Sequence, residues 1–340
     1  MDFLNQLFQD VPLVVNILFF IIGLVLLIKG SDFFVDSAVF FARKFHVSEL
    51  VIGLTLVSIG TSLPELATNI SGIVRGRATI AMGNITGSNI TNIALILGIA
   101  ALMIGSIDYE KKVFYRDGLV MLGATVMVVL FSFFFDGEVY RINRIESAVM
   151  LICMTAYLFC LVRYDNASLD SDDAGDNKIK SVGIAVLLFI VGFVGIYFGS
   201  EVMVGNVIII AEAIHIPEGI ISATVVALGT SLPELAVTVM GIVKKKSDLS
   251  LGNIIGSNIF NILGILGITG LIGDLSLMAG NKPDMMMMYF ILPMMLLVAL
   301  MLIVCMRVRW RLTRISGILL LLIYIGYVVL NYTGVPWLTK

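Results

Sequence analysis

Charged side chains are scarce in this sequence: Asp, Glu, Lys and Arg make up 14% of its 340 residues, whereas hydrophobic residues make up 59%. A soluble domain carries roughly 25% charged residues. The shortage leaves too little polar surface to coat a water-soluble domain, so the composition predicts a membrane protein. Basic residues number 22 and acidic residues 24. This near balance argues against a nucleic-acid partner, which would require a basic excess.

Cysteine and histidine are also rare. The three cysteines, Cys153, Cys160 and Cys305, lie in apolar runs without paired spacing, which argues against disulfides and thiolate metal sites. His46 and His215 lie near the ends of predicted spans, where an interfacial position is favoured over a ligand role. Zinc and copper are therefore disfavoured as substrates. The sequence has no His-Glu-x-x-His pattern and no base beside a candidate serine nucleophile, so neither an enzymatic activity nor a cofactor is predicted.

Long apolar runs make up most of the remaining sequence. A helix needs roughly 20 mostly apolar residues to cross the hydrocarbon core. On this criterion the sequence predicts an all-α polytopic membrane protein with ten transmembrane helices. The first run has an acidic flank at Asp2 and Asp10, so we expect a span rather than a signal peptide. The predicted spans are 12–41, 48–74, 79–105, 117–135, 145–163, 181–212, 217–243, 248–273, 286–306 and 315–333.

A hydrophilic, acidic segment at 164–180 divides these spans five and five. Lys and Arg are retained preferentially on the cytoplasmic side of a membrane. Fifteen Lys and Arg residues lie in loops on the same side of the membrane as the segment 164–180, and six lie on the opposite side. We therefore expect a plasma-membrane or inner-membrane protein with a cytoplasmic linker and both termini outside. Residues 170–176 resemble a calcium-binding loop, but Ala174 and Ser181 replace ligand positions, which favours a solvated linker.

The sequence contains an internal repeat, in which position 53 aligns with position 222. We call the difference between these two residue numbers the repeat offset. Between 53–98 and 222–267, 25 of 46 positions are identical without a gap. Because five spans separate equivalent points, the second copy enters the membrane from the opposite face. The sequence thus predicts two inverted-topology five-helix repeats, 1–163 and 181–340, as in transporters that bind substrate near the midplane. A duplication that preserved only packing would explain shared glycines, but not shared carboxylates in hydrocarbon.

Glu65 and Glu234 occupy equivalent positions well inside the second and seventh predicted spans. A charge at the bilayer centre costs about 2.5–3.5 kcal/mol even on lenient scales. No Lys or Arg is expected at the same depth in these spans, so a bound cation is the favoured partner, with protonated structural glutamates as the alternative. Two carboxylates would need one divalent or two monovalent cations for neutrality.

The residues before each glutamate supply further oxygen atoms. Thr61 and Ser62 precede Glu65 by four and three positions, so a helix places all three side chains on one face. Pro64 lacks an N–H and clashes with the carbonyl of Gly60, which predicts a break where carbonyl groups can face an ion. The second copy contains the same arrangement at Thr230, Ser231, Pro233 and Glu234.

The third and eighth predicted spans carry polar residues at steps of four. Four of them are predicted ligands: Ser88, Asn92, Ser257 and Asn261. Asn84 and Asn253 are either ligands or helix caps near the membrane surface. The glycine pairs Gly83/Gly87 and Gly252/Gly256 favour close helix packing. Carboxylate, hydroxyl and amide oxygens suit hard cations, and flexible mixed-oxygen sites suit Ca²⁺ better than Mg²⁺.

The paired Gly-Thr-Ser-Leu-Pro-Glu and Gly-Ser-Asn-Ile-x-Asn segments, within 53–98 and 222–267, resemble the two α-repeats of the calcium/cation antiporter superfamily. This superfamily contains the sodium/calcium exchangers and their bacterial relatives. The resemblance implies four core helices around the site and long first and sixth helices that slide across them. Several relatives carry Asp where this sequence has Asn261, so potassium coupling is not expected.

The resemblance also implies a ligand set. Carbonyl groups of Ser58 and Ala227 would contribute from the backbone. The implied side-chain ligands are Glu65, Thr61, Ser62, Ser88, Asn92, Glu234, Thr230, Ser231, Ser257 and Asn261. Asp32, Asp36 and Glu201 are weaker candidates, which either line the ion path or lie in interfacial water.

Together these features predict secondary active antiport, in which Ca²⁺ leaves in exchange for entering Na⁺ by alternating access around a midplane site. Ca²⁺/H⁺ exchange is the alternative, because two glutamates could carry protons. A cation channel is less favoured, since channels usually form pores by symmetric assembly of subunits. The expected partners are Ca²⁺, Na⁺ and the lipid bilayer, and the sequence does not indicate an oligomeric state.

Overall fold

The structure, a computed structural model, describes residues 11–76, 78–134, 140–163, 179, 181–213, 229–279, 282–308 and 310–333. Within these residues, eight helices are long and apolar enough to cross a membrane, and a helix pair bent by 44° forms a ninth such span. The other elements of the described residues include a shorter apolar helix and three antiparallel pairs of short strands. The predicted multi-pass helical membrane protein is confirmed.

The helices are named here in chain order. They are α1 Leu13–Phe45, α2 Glu49–Thr61, α3 Leu63–Val74, α4 Ala81–Ile104, α5 Lys111–Phe133, α6 Arg144–Arg163, α7 Val182–Ala213, α8 Leu232–Val243, α9 Ser247–Ile272, α10 Met287–Arg307 and α11 Arg314–Thr333. The strands are β1 Ser106–Asp108, β2 Arg141–Ile142, β3 Leu275–Ser276, β4 Met278–Ala279, β5 Lys282–Pro283 and β6 Arg311–Thr313. Strand β1 pairs with β6, β2 with β3, and β4 with β5. The linker 164–180, apart from residue 179, and the first part of the predicted span 217–243 lie outside the described residues.

The fourth span begins earlier than predicted, at Lys111 rather than near residue 117. Asp117, which the hydropathy criterion left at the edge of the span, is fully buried inside it. Its carboxylate accepts hydrogen bonds from Arg116 Nε at 2.8 Å and from the Tyr157 hydroxyl at 3.0 Å. A buried charge persists when it is paired and hydrogen-bonded, so this contact allows the helix to continue through the acidic residue.

Helices α1 and α7 cross in direct backbone contact. A Cβ atom at Gly30 would lie 2.8 Å from the carbonyl oxygen of Gly192, and one at Gly23 would lie 2.9 Å from that of Gly199. Gly23 comes before Gly30 in α1, but its partner Gly199 comes after Gly192 in α7. The two helices therefore run antiparallel. Only 22% of the apolar window of each helix is buried. The α1–α7 pair therefore lies at the periphery, where small residues permit close approach in lipid.

Helices α4 and α9 form the centre of the molecule, with 67% and 89% of their apolar windows buried. The predicted close packing at the glycine pairs is confirmed in α9, because a Cβ at Gly252 would lie 2.5 Å from the Leu50 carbonyl oxygen. It is wrong for α4. There, the nearest atom that the described residues of other elements offer to a Cβ at Gly83 or Gly87 lies at 3.5 or 3.9 Å, which is ordinary contact. Tight crossing at these glycines is therefore a property of one copy.

Lys244, directly after α8, connects this core to α1. Its ammonium group lies 2.7 Å from Asp32 Oδ1 and also contacts the Asp36 carboxylate. It further donates a hydrogen bond to the Asp32 backbone carbonyl at 3.0 Å. The side chains of all three residues are partly exposed. Asp32 and Asp36 thus join α1 to the end of α8 by an ion-pair cluster.

Substituting Lys244 by Met is expected to lower the melting temperature of the purified protein. Exposed ion pairs contribute at most about 1 kcal/mol each, so a decrease of a few degrees is expected. Thermal unfolding in detergent measures it, with Lys245→Met as the matched control on the neighbouring lysine. Equal melting temperatures for both variants would show that the cluster does not hold α1 to the core.

Candidate ion-binding site

The motif around Pro64 forms the predicted break. Helix α2 ends at Thr61, α3 begins at Leu63, and the two axes differ by 44°. Pro64 lies in the first turn of α3, where its missing N–H costs no helical hydrogen bond. Glu65 follows in the same turn, and Glu234 occupies the same place in α8. The positive end of each helix dipole therefore stabilises a carboxylate there.

The two copies of the motif meet through Ser62 and Glu234. The Ser62 hydroxyl donates a hydrogen bond of 2.9 Å to Glu234 Oε1, and both side chains are fully buried. Glu65 lies three residues after Ser62 and is also fully buried. The structure therefore brings the two predicted acids into one buried region.

Threonine and serine hydroxyls pair across the copies in two equivalent contacts. Thr61 Oγ1 lies 3.5 Å from Ser257 Oγ, and Thr230 Oγ1 lies 3.5 Å from Ser88 Oγ. Adding the repeat offset to position 61 gives Thr230, and subtracting it from position 257 gives Ser88. The two contacts are therefore equivalent between the copies. Four of the six predicted hydroxyl ligands thus lie at the junction between the copies.

Asn84 and Asn253 belong to the same junction. Thr61 Oγ1 donates to Asn253 Oδ1 at 3.2 Å, and Thr230 Oγ1 donates to Asn84 Oδ1 at 3.5 Å. Asn253 lies six residues inside α9 and is fully buried. Of the two interpretations that the sequence left open, the helix-cap role is therefore wrong for Asn253, which orients a threonine of the site.

Asn92 and Asn261 lie in π-helical turns, at Thr91–Ile96 in α4 and Phe260–Leu266 in α9. Such turns are often found at functional sites. Both amides are fully buried, and Asn261 Nδ2 donates to Asn89 Oδ1 at 3.1 Å. Asn89 was missed as a site residue. The signal for it was present, because Asn89 and its equivalent Asn258 are identical in the two copies and precede Asn92 and Asn261 by three positions.

The remaining predicted ligands are placed differently. The Ser58 carbonyl oxygen already accepts a hydrogen bond from the Ser62 N–H at 3.1 Å and lies 3.3 Å from Thr61 Oγ1. Ser231 is buried, and its hydroxyl has no hydrogen-bond partner among the described residues. Ala227 lies outside the described residues.

The most unusual property of this region is its unsatisfied oxygen atoms. Both carboxylate oxygens of Glu65, Oε2 of Glu234 and Oδ1 of Asn261 are buried without a hydrogen-bond partner in the described part of the chain. Buried polar atoms are normally paired, since each unpaired one costs about 1–3 kcal/mol. A set of buried, unpaired oxygens that includes two carboxylates has the chemistry of a hard-cation site.

Comparison with known proteins agrees with this chemistry. A family model described as "Sodium/calcium exchanger protein" matches residues 15–163 and 184–333. This chain belongs to that family. The exchanger is 34% identical to the sodium/calcium exchanger MaX1 of Methanosarcina acetivorans, over 94% of this chain and 99% of the relative. It is also 33% identical to the putative antiporter CaxA of Alkalimonas amylolytica, over 95% of this chain and all of the relative.

Solved structures of the sodium-calcium exchanger NCX_Mj have the same fold as this exchanger. With NCX_Mj soaked with zero Na⁺ and Ca²⁺, the TM-score is 0.77 at 31% identity, over 94% of this chain and 99% of the other. With NCX_Mj soaked with 100 mM Na⁺ and 10 mM Sr²⁺, the TM-score is again 0.77, at 32% identity over the same shares. The chain is therefore a membrane antiporter of cations, a transporter and not an enzyme.

Proposed function

We propose that this exchanger moves Ca²⁺ out of the cell in exchange for Na⁺, by alternating access to one site between its two copies. The buried pair of Glu65 and Glu234 carries this proposal. Three of their four carboxylate oxygens have no hydrogen-bond partner among the described residues, and the fourth accepts a hydrogen bond from the Ser62 hydroxyl of the other copy. The ion gradients supply the energy, and no cofactor is involved.

The charge of the site explains why exchange is obligatory. With both glutamates ionised, an empty site would have to pass through hydrocarbon with two uncompensated charges, each costing about 2.5–3.5 kcal/mol or more. One Ca²⁺ or a pair of Na⁺ ions cancels these charges. The two access states therefore interconvert readily only when cargo is bound.

We also propose that the chain has ten membrane helices in two inverted repeats, 1–163 and 181–340, joined by the cytoplasmic linker 164–180, with both termini outside. Contacts between the copies support the repeats, because several contacts occur twice. In each case, the residues of the second contact are the repeat equivalents of the residues of the first. Gly23 contacts Gly199, and their repeat equivalents, Gly192 and Gly30, also contact each other. The two threonine–serine contacts of the site are related in the same way. Such exchange of partners is expected of two copies related by a two-fold axis in the membrane plane.

The names of related proteins favour Na⁺ over H⁺ as the counter-ion. MaX1 is named a sodium/calcium exchanger. The NCX_Mj structures are described as soaked with Na⁺ together with Ca²⁺ or Sr²⁺. Ca²⁺/H⁺ exchange is the second candidate, because Glu65 and Glu234 can carry protons as well as metal ions.

Transport in liposomes distinguishes these candidates. Purified exchanger in vesicles loaded with Na⁺ and diluted into Na⁺-free medium is expected to accumulate ⁴⁵Ca²⁺. The uptake should disappear when internal Na⁺ is replaced by choline or when a Na⁺ ionophore is added. Collapse of an imposed pH gradient should leave it unchanged.

Protein-free vesicles provide the baseline for this assay. Uptake that follows a pH gradient in the absence of Na⁺ would support proton exchange instead. Conductive uptake without any counter-ion would contradict antiport and indicate a channel.

A further inference from the structure

Four asparagines are buried in α4 and α9, the two central helices. They are Asn89, Asn92, Asn258 and Asn261, each at most 2% exposed, and the second pair is equivalent to the first by the repeat offset. Asn92 and Asn261 are ligand candidates already described. Asn89 and Asn258 have no role in the proposed transport cycle so far.

The orientation of the Asn89 amide follows from its partners. Its Nδ2 donates to the backbone carbonyl oxygen of Asn258 at 3.4 Å and points at Met295 Sδ at 4.0 Å. A carbonyl oxygen can only accept, so the nitrogen end of the amide must face α9 and α10. The oxygen end is thereby directed to Asn261, whose Nδ2 donates to it at 3.1 Å.

This contact determines which atom Asn261 presents to the site. Because its nitrogen faces Asn89, its oxygen faces away from Asn89, and that oxygen is buried without a partner among the described residues. Asn92 provides an internal comparison. Both its nitrogen and its oxygen lack partners in the described residues, and so does Asn258 Oδ1, the atom equivalent to the acceptor on Asn89.

We propose that Asn89 is a positioning residue for cation binding, which holds the Asn261 amide so that its oxygen, and not its nitrogen, faces the ion. An amide nitrogen is a hydrogen-bond donor and cannot coordinate a cation. Without Asn89, the Asn261 amide rotates, and its oxygen faces the ion for only part of the time. This inference rests on the proposed function of the Glu65–Glu234 site.

A double-mutant cycle tests whether Asn89 acts through Asn261. Asn89→Leu, which has a similar volume but no polar atoms, is expected to raise the KM for Ca²⁺ in ⁴⁵Ca²⁺ uptake about tenfold, as for a lost buried hydrogen bond. Asn261→Ala should raise the KM at least as much. In the double variant, Asn89→Leu should cause no further increase in KM, because the Asn261 amide that Asn89 positions is already absent.

Asn206→Leu is the matched control, since Asn206 is a buried asparagine of α7 whose Nδ2 donates to a carbonyl of its own helix, that of Val202, at 2.8 Å. Its KM should stay within about twofold of the wild-type value. If Asn89→Leu cannot be purified as a folded protein, Asn89→Ser replaces it in the cycle, because the shorter side chain does not reach Asn261.

Multiplicative effects of the two substitutions on KM, or an unchanged KM in Asn89→Leu, would overturn the inference. A lower melting temperature with unchanged KM would likewise indicate a purely structural asparagine. Failure of the proposed function is separate, because it would appear as absent Na⁺-driven Ca²⁺ uptake by the wild-type protein.

Discussion

Replacing Glu234 by Gln is expected to reduce Na⁺-driven Ca²⁺ uptake by at least about 100-fold, because it removes one of the two charges that we propose hold the ion. Loss of one partner from a buried charge pair costs about 3–5 kcal/mol, and each 1.4 kcal/mol corresponds to a factor of ten in affinity. Glutamine is nearly isosteric and can still accept the Ser62 hydrogen bond. The substitution therefore removes charge and leaves the geometry in place. Glu65→Gln should have an effect of the same size.

The same variants should not be less stable than the wild-type protein. Glu234 carries a buried carboxylate oxygen without a partner among the described residues, and replacing such a charge by a neutral group removes a desolvation cost. We therefore expect an unchanged or higher melting temperature in Na⁺-free and Ca²⁺-free buffer.

Uptake of ⁴⁵Ca²⁺ and thermal unfolding of the same preparations check both expectations. Glu110→Gln is the control, since Glu110 is 68% exposed, pairs with Lys112 and precedes the candidate span Lys111–Phe133. If either Glu65→Gln or Glu234→Gln took up Ca²⁺ at the wild-type rate, the pair of carboxylates would not be needed for transport. Loss of transport together with a large loss of stability would indicate a structural role for the acid.

Replacing Gly192 by Ala should strongly destabilise the α1–α7 pair, although the change adds one methyl group. Its Cβ would lie 2.7 Å from the backbone nitrogen of Phe34 and 2.8 Å from the carbonyl oxygen of Gly30. Both atoms belong to the backbone, so they can move away only if the two helices separate. Overpacking of a well-packed contact costs about 1–3 kcal/mol, and the separation also loses contacts along the rest of the crossing.

Gly123→Ala is the matched control, because no described atom beyond the neighbouring backbone of α5 itself lies within 4 Å of the Cβ position at Gly123. Alanine is preferred over glycine in a helix by about 1 kcal/mol. Melting temperatures in detergent should therefore change in opposite directions, with a decrease for Gly192→Ala and no decrease for Gly123→Ala. Equal shifts would show that the crossing tolerates a side chain at Gly192.

Most of the helical spans could be predicted from the sequence because hydropathy is a local property. The predicted span 315–333 agrees with α11 at Arg314–Thr333 to within one residue. The span near 117 was predicted too short, because its acidic residue is paired with Arg116 and accepts a hydrogen bond from Tyr157, which is 40 residues distant in the chain. A window of local hydropathy contains no information about such a partner.

The candidate site was predictable in its residue types but not in its contacts. The match of the sequence with itself identified Glu65, Glu234 and the hydroxyls around them. The π-helical turns that contain Asn92 and Asn261 left no recognisable sequence pattern, because an inserted residue in a helical turn is stabilised by packing and not by composition.

The sequence by itself determined which segments are apolar enough for the membrane, that the chain contains the same motif twice, and that each copy holds one acid. These properties depend on residues that are close in the chain or on identity between the copies. Only the tertiary structure decided which atoms meet: Ser62 with Glu234, Asn89 with Asn261, and Lys244 with α1. The reason is physical, because each of these contacts joins residues from distant parts of the chain, and only the packing of the helices brings them within hydrogen-bonding distance.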